Sequence, residues 1–166
     1  DFDTTVEHFY SQMSNGVVIK RESDADLNSV RWLALSKTLQ DDQGLGDDFF
    51  LINMGTNFQF LIQRQLKRNL KLKRINTNIQ FALQDSTFHT DGGAYGWTFL
   101  LYCSPSWDTN WGGEFIICKG NDDYIGVPYI PNRGVLFRAD IPHRGAAPNL
   151  HSKGPRLSIA FTYVEV

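Results

Sequence analysis

The sequence predicts a mainly β protein in which short strands form a sandwich or barrel and helices pack against one side. Apolar residues recur at helical spacing only in the first part of the chain, and they alternate with polar residues from about residue 73 onward. Gly, Pro and Asn separate the alternating segments, as in turns between strands. With 166 residues, we expect one domain, with a helical part over about 1–72 and a β core over about 73–166.

Two helices are predicted before the β core. The first covers 24–40 and starts with a Ser-Asp N-cap and an acidic first turn. A polar stretch over 41–48 is expected to be a loop. The second helix is predicted over about 55–69. Its apolar face consists of Phe58, Leu61, Ile62, Leu66 and Leu70.

Five strands are predicted in the β core, over 75–83, 96–103, 113–118, 134–138 and 156–164. The last strand alternates most cleanly. Its apolar side chains, Leu157, Ile159, Phe161 and Tyr163, are expected to pack on the helices, which turns Arg156 toward the inside of the barrel. An inward arginine is costly unless an anionic group meets it.

Composition excludes several classes of protein. The chain is 42% hydrophobic and 20% charged, which excludes a disordered chain and a coiled coil. No apolar run is long enough to span a bilayer, so no membrane partner is expected. The net charge of −2 gives no general attraction to nucleic acid. The basic run between Arg64 and Arg74 is interpreted as a solvated face.

The two cysteines, Cys103 and Cys118, lack the spacing of a zinc site and are too few for a disulfide framework. We interpret them as half-buried core thiols, with a single disulfide as the alternative. No Asn-x-Ser/Thr acceptor occurs, and nothing argues for secretion. The expected location is therefore the cytoplasm.

Two of the four histidines belong to a pattern typical of a metal site. His89 and Asp91 stand two residues apart, so an extended backbone places both side chains on one face. His143 follows closely after the predicted strand over 134–138. Two histidines and one carboxylate, with open positions opposite, form the facial triad of non-haem Fe(II) oxygenases. A His-x-Asp pair alone is a weak signal, and its bland interpretation is a surface turn.

The context of the pair strengthens the metal interpretation. Arg156 and Ser158 open the last strand on its inward face, where a guanidinium and a hydroxyl together can hold a carboxylate. Tyr102, which is inward on its own strand, offers a phenol to the same anion. A metal site and a carboxylate clamp inside one barrel predict a small dicarboxylate that binds both.

Residues 86–164 resemble the 2-oxoglutarate/Fe(II)-dependent dioxygenases, and among them the prolyl 4-hydroxylase-like branch. The matching stretches are FHTD (88–91), WTFLLYCSPSWDTNWGGEFIIC (97–118), GVLFRADIPHRGAAP (134–148) and RLSIAFTYV (156–164). The resemblance implies a double-stranded β-helix, which is a jelly-roll or cupin-like core with helices packed on one side.

The resemblance also implies roles for individual residues. His89, Asp91 and His143 match the iron ligands, and Arg156 matches the partner of the far carboxylate of 2-oxoglutarate. Lys153 is the alternative partner, because some relatives use a lysine ten positions after the second histidine. The other positions that the resemblance assigns to the co-substrate clamp are Tyr102, Ser158 and Thr98. Asn78 or Gln80 is expected to touch the co-substrate or substrate, although a polar residue at a strand end explains either equally well.

The implied activity is hydroxylation of an unactivated C–H bond, coupled to oxidation of 2-oxoglutarate to succinate and CO2. The implied cofactors are Fe(II), 2-oxoglutarate and O2, with ascorbate as a candidate accessory reductant. A prolyl residue in a peptide is the first expected substrate. The alternatives are a free amino acid or small metabolite, and a jelly-roll that binds metal or ligand without turnover. Substrate selection is expected from 40–57, 92–97 and 119–133.

Overall fold

The computed structural model describes residues 35–40 and 48–166. Its helix α1 spans Phe49–Leu66, and a short 3-10 helix spans Thr109–Trp111. The strands are β1 (Leu35–Gln40), β2 (Leu70–Gln80), β3 (Gly96–Tyr102), β4 (Phe115–Gly120), β5 (Asp123–Val127), β6 (Gly134–Arg138), β7 (His143–Gly145) and β8 (Arg156–Glu165). Among these residues, no helix is both long enough and apolar enough to cross a bilayer.

The strands form two antiparallel sheets. The larger sheet has the order β1-β2-β8-β3-β6, and the smaller has the order β5-β4-β7. Helix α1 packs on the outer face of the larger sheet, whose inner face is left for the site. The predicted mainly β architecture with helical packing on one side is therefore confirmed.

The outer face of the larger sheet carries the main core. Leu157, Ile159, Phe161 and Tyr163 of β8 are buried in it, together with Leu51 and Ile62 of α1. Because side chains alternate along a strand, the same register turns Arg156 and Ser158 to the inner face. The prediction for the last strand is confirmed, with one extra residue at its end.

The predicted first helix is wrong where the structure describes it. Residues 24–34 lie outside the described residues, but 35–40 form strand β1 instead of the end of a helix. Each of these six residues pairs with a residue of β2, from Leu35 opposite Ile79 to Gln40 opposite Arg74. Pairing with a strand that lies far along the chain therefore overrides the local helical spacing.

The second helix starts earlier and ends earlier than predicted. Asp48 caps its N-terminus, with a carboxylate oxygen accepting from the Leu51 N–H at 3.2 Å. It ends at Leu66, and the C-cap residue Lys67 adopts a left-handed conformation with φ of 55°. The capping role of Asp48 was missed because that residue was assigned to the preceding loop.

Strand β2 also ends before the predicted position. The alternation in the sequence predicts a strand to Leu83, but the ladder stops at Gln80. A turn follows, in which Leu83 has φ of 67° and the Gln84 side chain accepts from the Phe81 N–H at 2.8 Å. Phe81 and Leu83 are therefore exposed instead of buried.

A β-bulge in β2 decides which side chains reach the inner face. Leu72 pairs with Tyr163 and Arg74 pairs with Thr162, so Lys73 has no opposite residue. Before the bulge, Leu70 and Leu72 face the helix; after it, Ile75 and Ile79 do. The extra residue shifts the alternation by one, and Arg74 turns to the inner face.

Gly55 lets α1 lie close to the sheet. A methyl group at this position would stand 2.7 Å from Leu72 Cδ2 and 2.9 Å from Phe161 Cδ1. We expect Gly55→Ala to lower the free energy of unfolding by about 1–3 kcal/mol, because overpacking outweighs the better helix propensity of alanine. The exposed helix residue Asn57 supplies the control, since Asn57→Ala should be neutral or stabilising. Denaturant midpoints test both variants, and a stabilised Gly55→Ala would contradict the close packing.

Candidate active site

Two segments distant in sequence are joined by a pair of backbone hydrogen bonds. The His89 N–H donates to the His143 carbonyl at 3.0 Å, and the His143 N–H donates to the His89 carbonyl at 2.9 Å. This isolated antiparallel bridge brings the two imidazoles to a centroid separation of 4.6 Å. Backbone hydrogen bonds alone therefore place the two histidines side by side.

Asp91 completes a group of three candidate metal ligands. One ligand atom from each of His89, Asp91 and His143 lies within 4.8 Å of the others. The Asp91 carboxylate stands 3.9 Å from His89 Nε2 and 3.6 Å from His143 Nε2. One face of an iron-sized space is thus bordered by two nitrogens and one oxygen.

Each histidine is oriented through its other ring nitrogen. Nδ1 of His89 lies 3.0 Å from the Thr87 carbonyl, and Nδ1 of His143 lies 2.8 Å from the Ile141 carbonyl. A carbonyl only accepts, so the Nδ1 atom of each ring carries a proton and Nε2 is the ring nitrogen directed at the Asp91 carboxylate. Burial lowers the pKa of His143, which favours the neutral form that binds metal.

Both oxygens of the Asp91 carboxylate have partners of their own. Thr98 Oγ1 donates to Oδ2 at 2.8 Å, and Arg74 Nη2 donates to Oδ1 at 3.2 Å. Thr98 is expected from the sequence in the co-substrate clamp. It lies instead beside Asp91, because it stands opposite Thr162 near one end of the sheet whereas Arg156 opens β8 at the other.

Thr98→Val tests this contact with little change in shape. Because partners of metal ligands orient them, we expect the variant to weaken Fe(II) binding by about 10–100-fold. Thr56→Val on α1 is the matched control, since the Thr56 hydroxyl donates to the Ile52 carbonyl of its own helix at 2.8 Å and lies far from the three candidate ligands in the fold. Anaerobic Fe(II) titration measures both, and unchanged affinity in Thr98→Val would show that Asp91 needs no such support.

Arg156 is a buried cation, and one of its guanidinium nitrogens lacks a hydrogen-bond partner among the described residues. Its Nε donates to the Gly113 carbonyl at 2.9 Å, and Nη1 donates to Gln80 Oε1 at 2.9 Å and to Ser158 Oγ at 3.1 Å. These partners are all neutral, and Nη2 is buried without a hydrogen-bond partner among the described residues. Burial lowers the pKa of Arg156, so an anion that reaches Nη2 would be strongly favoured.

Two tyrosines flank the guanidinium of Arg156. Its Cζ lies 5.5 Å from the ring centre of Tyr102 and 5.3 Å from that of Tyr129. Burial raises the pKa of Tyr102 to about 12, so its phenol stays protonated as a donor, now directed to the Val127 carbonyl at 3.3 Å. The two rings are stacked on each other with their centres 4.3 Å apart, so the guanidinium lies against a stacked aromatic pair.

The remaining candidates from the sequence divide clearly. Gln80 contacts Arg156 directly, and its amide also donates to the Gly145 carbonyl at 3.1 Å. Asn78 lies opposite Ser158 on the same face and is half-buried. Lys153 is exposed, so the geometry favours Arg156 as the buried cation. His151 is also exposed, as expected.

Two residues of the site were missed by sequence reasoning. Arg74 was assigned to a solvated basic run. The other members of that run are exposed as expected, but Arg74 is half-buried beside Asp91. Tyr129 was placed in an aromatic group with no assigned role. The bulge at Lys73 and the stacking of Tyr129 on Tyr102 depend on contacts between distant segments, so no local sequence pattern predicts them.

Cys103 and Cys118 are both free thiols.

The fold is shared with known enzymes. A prolyl hydroxylase from Trichoplax adhaerens, in complex with a hypoxia inducible factor oxygen degradation domain peptide fragment, matches with TM-score 0.75 at 15% identity, over 99% of this chain and 78% of the other. A Pseudomonas putida prolyl-4-hydroxylase matches with TM-score 0.67 at 13% identity, over 99% and 85%. No curated protein matches in sequence.

A third similar structure is the non-heme alpha ketoglutarate dependent epimerase SnoN from nogalamycin biosynthesis. It matches with TM-score 0.69 at 14% identity, over 98% of this chain and 71% of the other. These likenesses confirm the double-stranded β-helix core. These enzymes catalyse different reactions, and sequence identities this low show a shared fold but do not identify a substrate for this chain.

The sequence itself carries the family. The model of the 2OG-Fe(II) oxygenase superfamily matches residues 74–164, which is more than half of the chain and includes both histidines, Asp91 and Arg156. The site fits both Fe(II) and 2-oxoglutarate. Two imidazole nitrogens and a carboxylate oxygen suit Fe(II), and Arg156 Nη2, which lacks a hydrogen-bond partner among the described residues, suits a carboxylate of 2-oxoglutarate. A jelly-roll without turnover is thereby set aside. The chain belongs to the 2OG-Fe(II) oxygenase superfamily and is a dioxygenase that uses Fe(II), 2-oxoglutarate and O2.

Proposed function

We propose that the enzyme hydroxylates a prolyl residue of a peptide, with His89, Asp91 and His143 as the iron ligands. The observation that carries the proposal is the open side of the site. The His89 side chain is 45% exposed, whereas those of Asp91 and His143 are 11% and 5% exposed. A site that is covered on two sides and open on the third is accessible to a residue within a chain.

An exposed aromatic pair stands beside this opening. Phe88, which directly precedes His89, lies 5.5 Å from Tyr124 between ring centres, and both residues are more than 40% exposed. Proline-rich segments dock on aromatic surfaces because their extended backbone is preformed. Two of the similar structures are prolyl hydroxylases, and one of them holds a peptide, which supports the same substrate class here.

The residues divide the work in this proposal. When bound, Fe(II) would supply the activation of O2 that couples hydroxylation of the substrate to oxidation of 2-oxoglutarate to succinate and CO2. His89 and His143 present Nε2, and Asp91 presents a carboxylate held by Thr98 and Arg74. Arg156 and Ser158 receive the far carboxylate of 2-oxoglutarate, while the protonated Tyr102 lines the same pocket.

Matched peptides test the substrate class. Proline-containing peptides are expected to stimulate succinate formation and to gain one oxygen atom by mass spectrometry, whereas the same peptides with alanine in place of proline should do neither. Tyr124→Ala should raise the peptide KM by roughly tenfold, as for an aromatic anchor, and Phe60→Ala on the exposed face of α1 should not. Equal stimulation by the proline and alanine peptides would exclude prolyl hydroxylation.

A free amino acid or small metabolite is the second candidate substrate. A cavity of about 310 Å³ adjoins Asp91 and has the size of a small-molecule site. Free L-proline that supports turnover, in the absence of any peptide effect, would favour this candidate.

A further inference from the structure

The cavity beside Asp91 is lined by basic and small residues. Lys73 and Arg74 of β2 form part of its wall, with Tyr95 and the glycine-rich segment over 92–96. This segment is one of those expected from the sequence to select substrate. Its glycines lack side chains, which leaves room for a bound group next to the proposed iron ligand.

The bulge in β2 explains why two adjacent cations reach one cavity. In a regular strand, successive side chains point to opposite faces. Here Lys73 has no opposite residue in the ladder, so Lys73 and Arg74 both line the cavity. Bulges of this kind re-aim side chains next to active sites.

The positive charge of the cavity is only partly balanced. Arg74 Nη2 donates to Asp91 and lies 3.5 Å from Thr162 Oγ1, but Arg74 Nε is buried without a partner among the described residues. Lys73 is exposed and has no ion pair within that part of the chain. Glu165, which follows the lining residue Val164, has its carboxylate 3.7 Å from Arg68 and accepts a hydrogen bond from Trp97 Nε1 at 3.2 Å.

The cavity is separate from the co-substrate clamp. Thr162 faces Arg74 at one end of β8, and Arg156 faces Gln80 at the other. Six residues of strand separate them, which is about 20 Å. The carboxylate group that binds Arg156 is therefore not the one that would contact Lys73 and Arg74.

We propose that Lys73 and Arg74 bind a carboxylate of the substrate itself, so that the substrate is an acid whose reacting C–H bond lies near its anionic group. This proposal rests on the proposed function, because it assumes hydroxylation at the iron site. It does not require that the hydroxylated residue is a proline. The carboxylate belongs either to a free acid or to an acidic residue of a peptide.

Probes that differ only in charge test the cavity. Binding is measured by ligand-observed NMR, with 2-oxoglutarate and Zn(II) present, for N-acetylproline against its amide and N-acetylleucine against its amide. A third pair is an amide-capped Asp-Pro peptide against its Asn-Pro counterpart. We expect the acid to bind at least about tenfold more tightly than its neutral partner in one or more pairs, as a charge-assisted contact requires.

Variants assign the preference to the cavity. Lys73→Gln should remove most of the acid preference and leave the neutral probes within twofold, while Lys119→Gln, at the exposed end of β4, should change nothing. No acid preference in any pair, or a preference that survives in Lys73→Gln, overturns the proposal.

The pairs also separate this proposal from the prolyl one. A preference in the leucine pair alone would retain the anion site and reject prolyl selectivity. Turnover of neutral proline peptides without any acid preference would retain prolyl hydroxylation and reject the anion site. Preference in the free-acid pair or in the Asp-Pro pair identifies the source of the carboxylate.

Discussion

His143→Ala is expected to reduce 2-oxoglutarate turnover to below about 1% of the wild-type rate. Removing a partner of a metal ligand costs about 10–100-fold, so removing a ligand itself should cost more. His143 is the most buried candidate ligand, and its Nε2 faces Asp91 at 3.6 Å. Succinate formation with saturating Fe(II) measures the rate, and the anaerobic charge-transfer band of the Fe(II)–2-oxoglutarate chelate measures assembly of the site.

His151→Ala is the matched control for this prediction. His151 lies in an exposed turn after the second histidine and should be replaceable without loss of activity. Asp91→Ala should behave like His143→Ala. Near-normal turnover in either of the two ligand variants, with the fold intact, would remove the triad from its proposed role.

Arg156→Met is expected to raise the apparent KM for 2-oxoglutarate by roughly 100-fold. Truncating one member of a buried charge pair typically costs about 2–5 kcal/mol, which corresponds to such a change. The buried Nη2, which has no partner among the described residues, is the donor that the variant removes. Steady-state kinetics with varied 2-oxoglutarate measure the effect, and Fe(II) affinity in the absence of co-substrate should change much less.

Stability separates a clamp from a structural role for Arg156. Without co-substrate, Arg156 is a buried cation among neutral partners, so a methionine of similar length should not greatly lower the free energy of unfolding. Lys153→Ala should leave the KM for 2-oxoglutarate unchanged, because Lys153 is exposed. A raised KM in Lys153→Ala together with a normal KM in Arg156→Met would move the clamp to Lys153.

The family, the β-rich architecture and the inward orientation of Arg156 follow from the residue pattern alone. His89 and Asp91 are close because a two-residue spacing on extended chain places side chains on one face. Arg156 points inward because Leu157, Ile159 and Phe161 alternate with it and are buried by the helix. These predictions are local, and the period of the side chains is enough to make them.

The remaining features depend on contacts between segments that lie far apart in the chain. Residues 35–40 became a strand because β2 pairs with them, and Thr98 met Asp91 because of the register of β3 against β8. Arg74 turned inward because one extra residue in β2 inverted the alternation that follows it. Register and bulges depend on partners distant in the chain, so the periodicity of a single segment does not determine which face these side chains occupy.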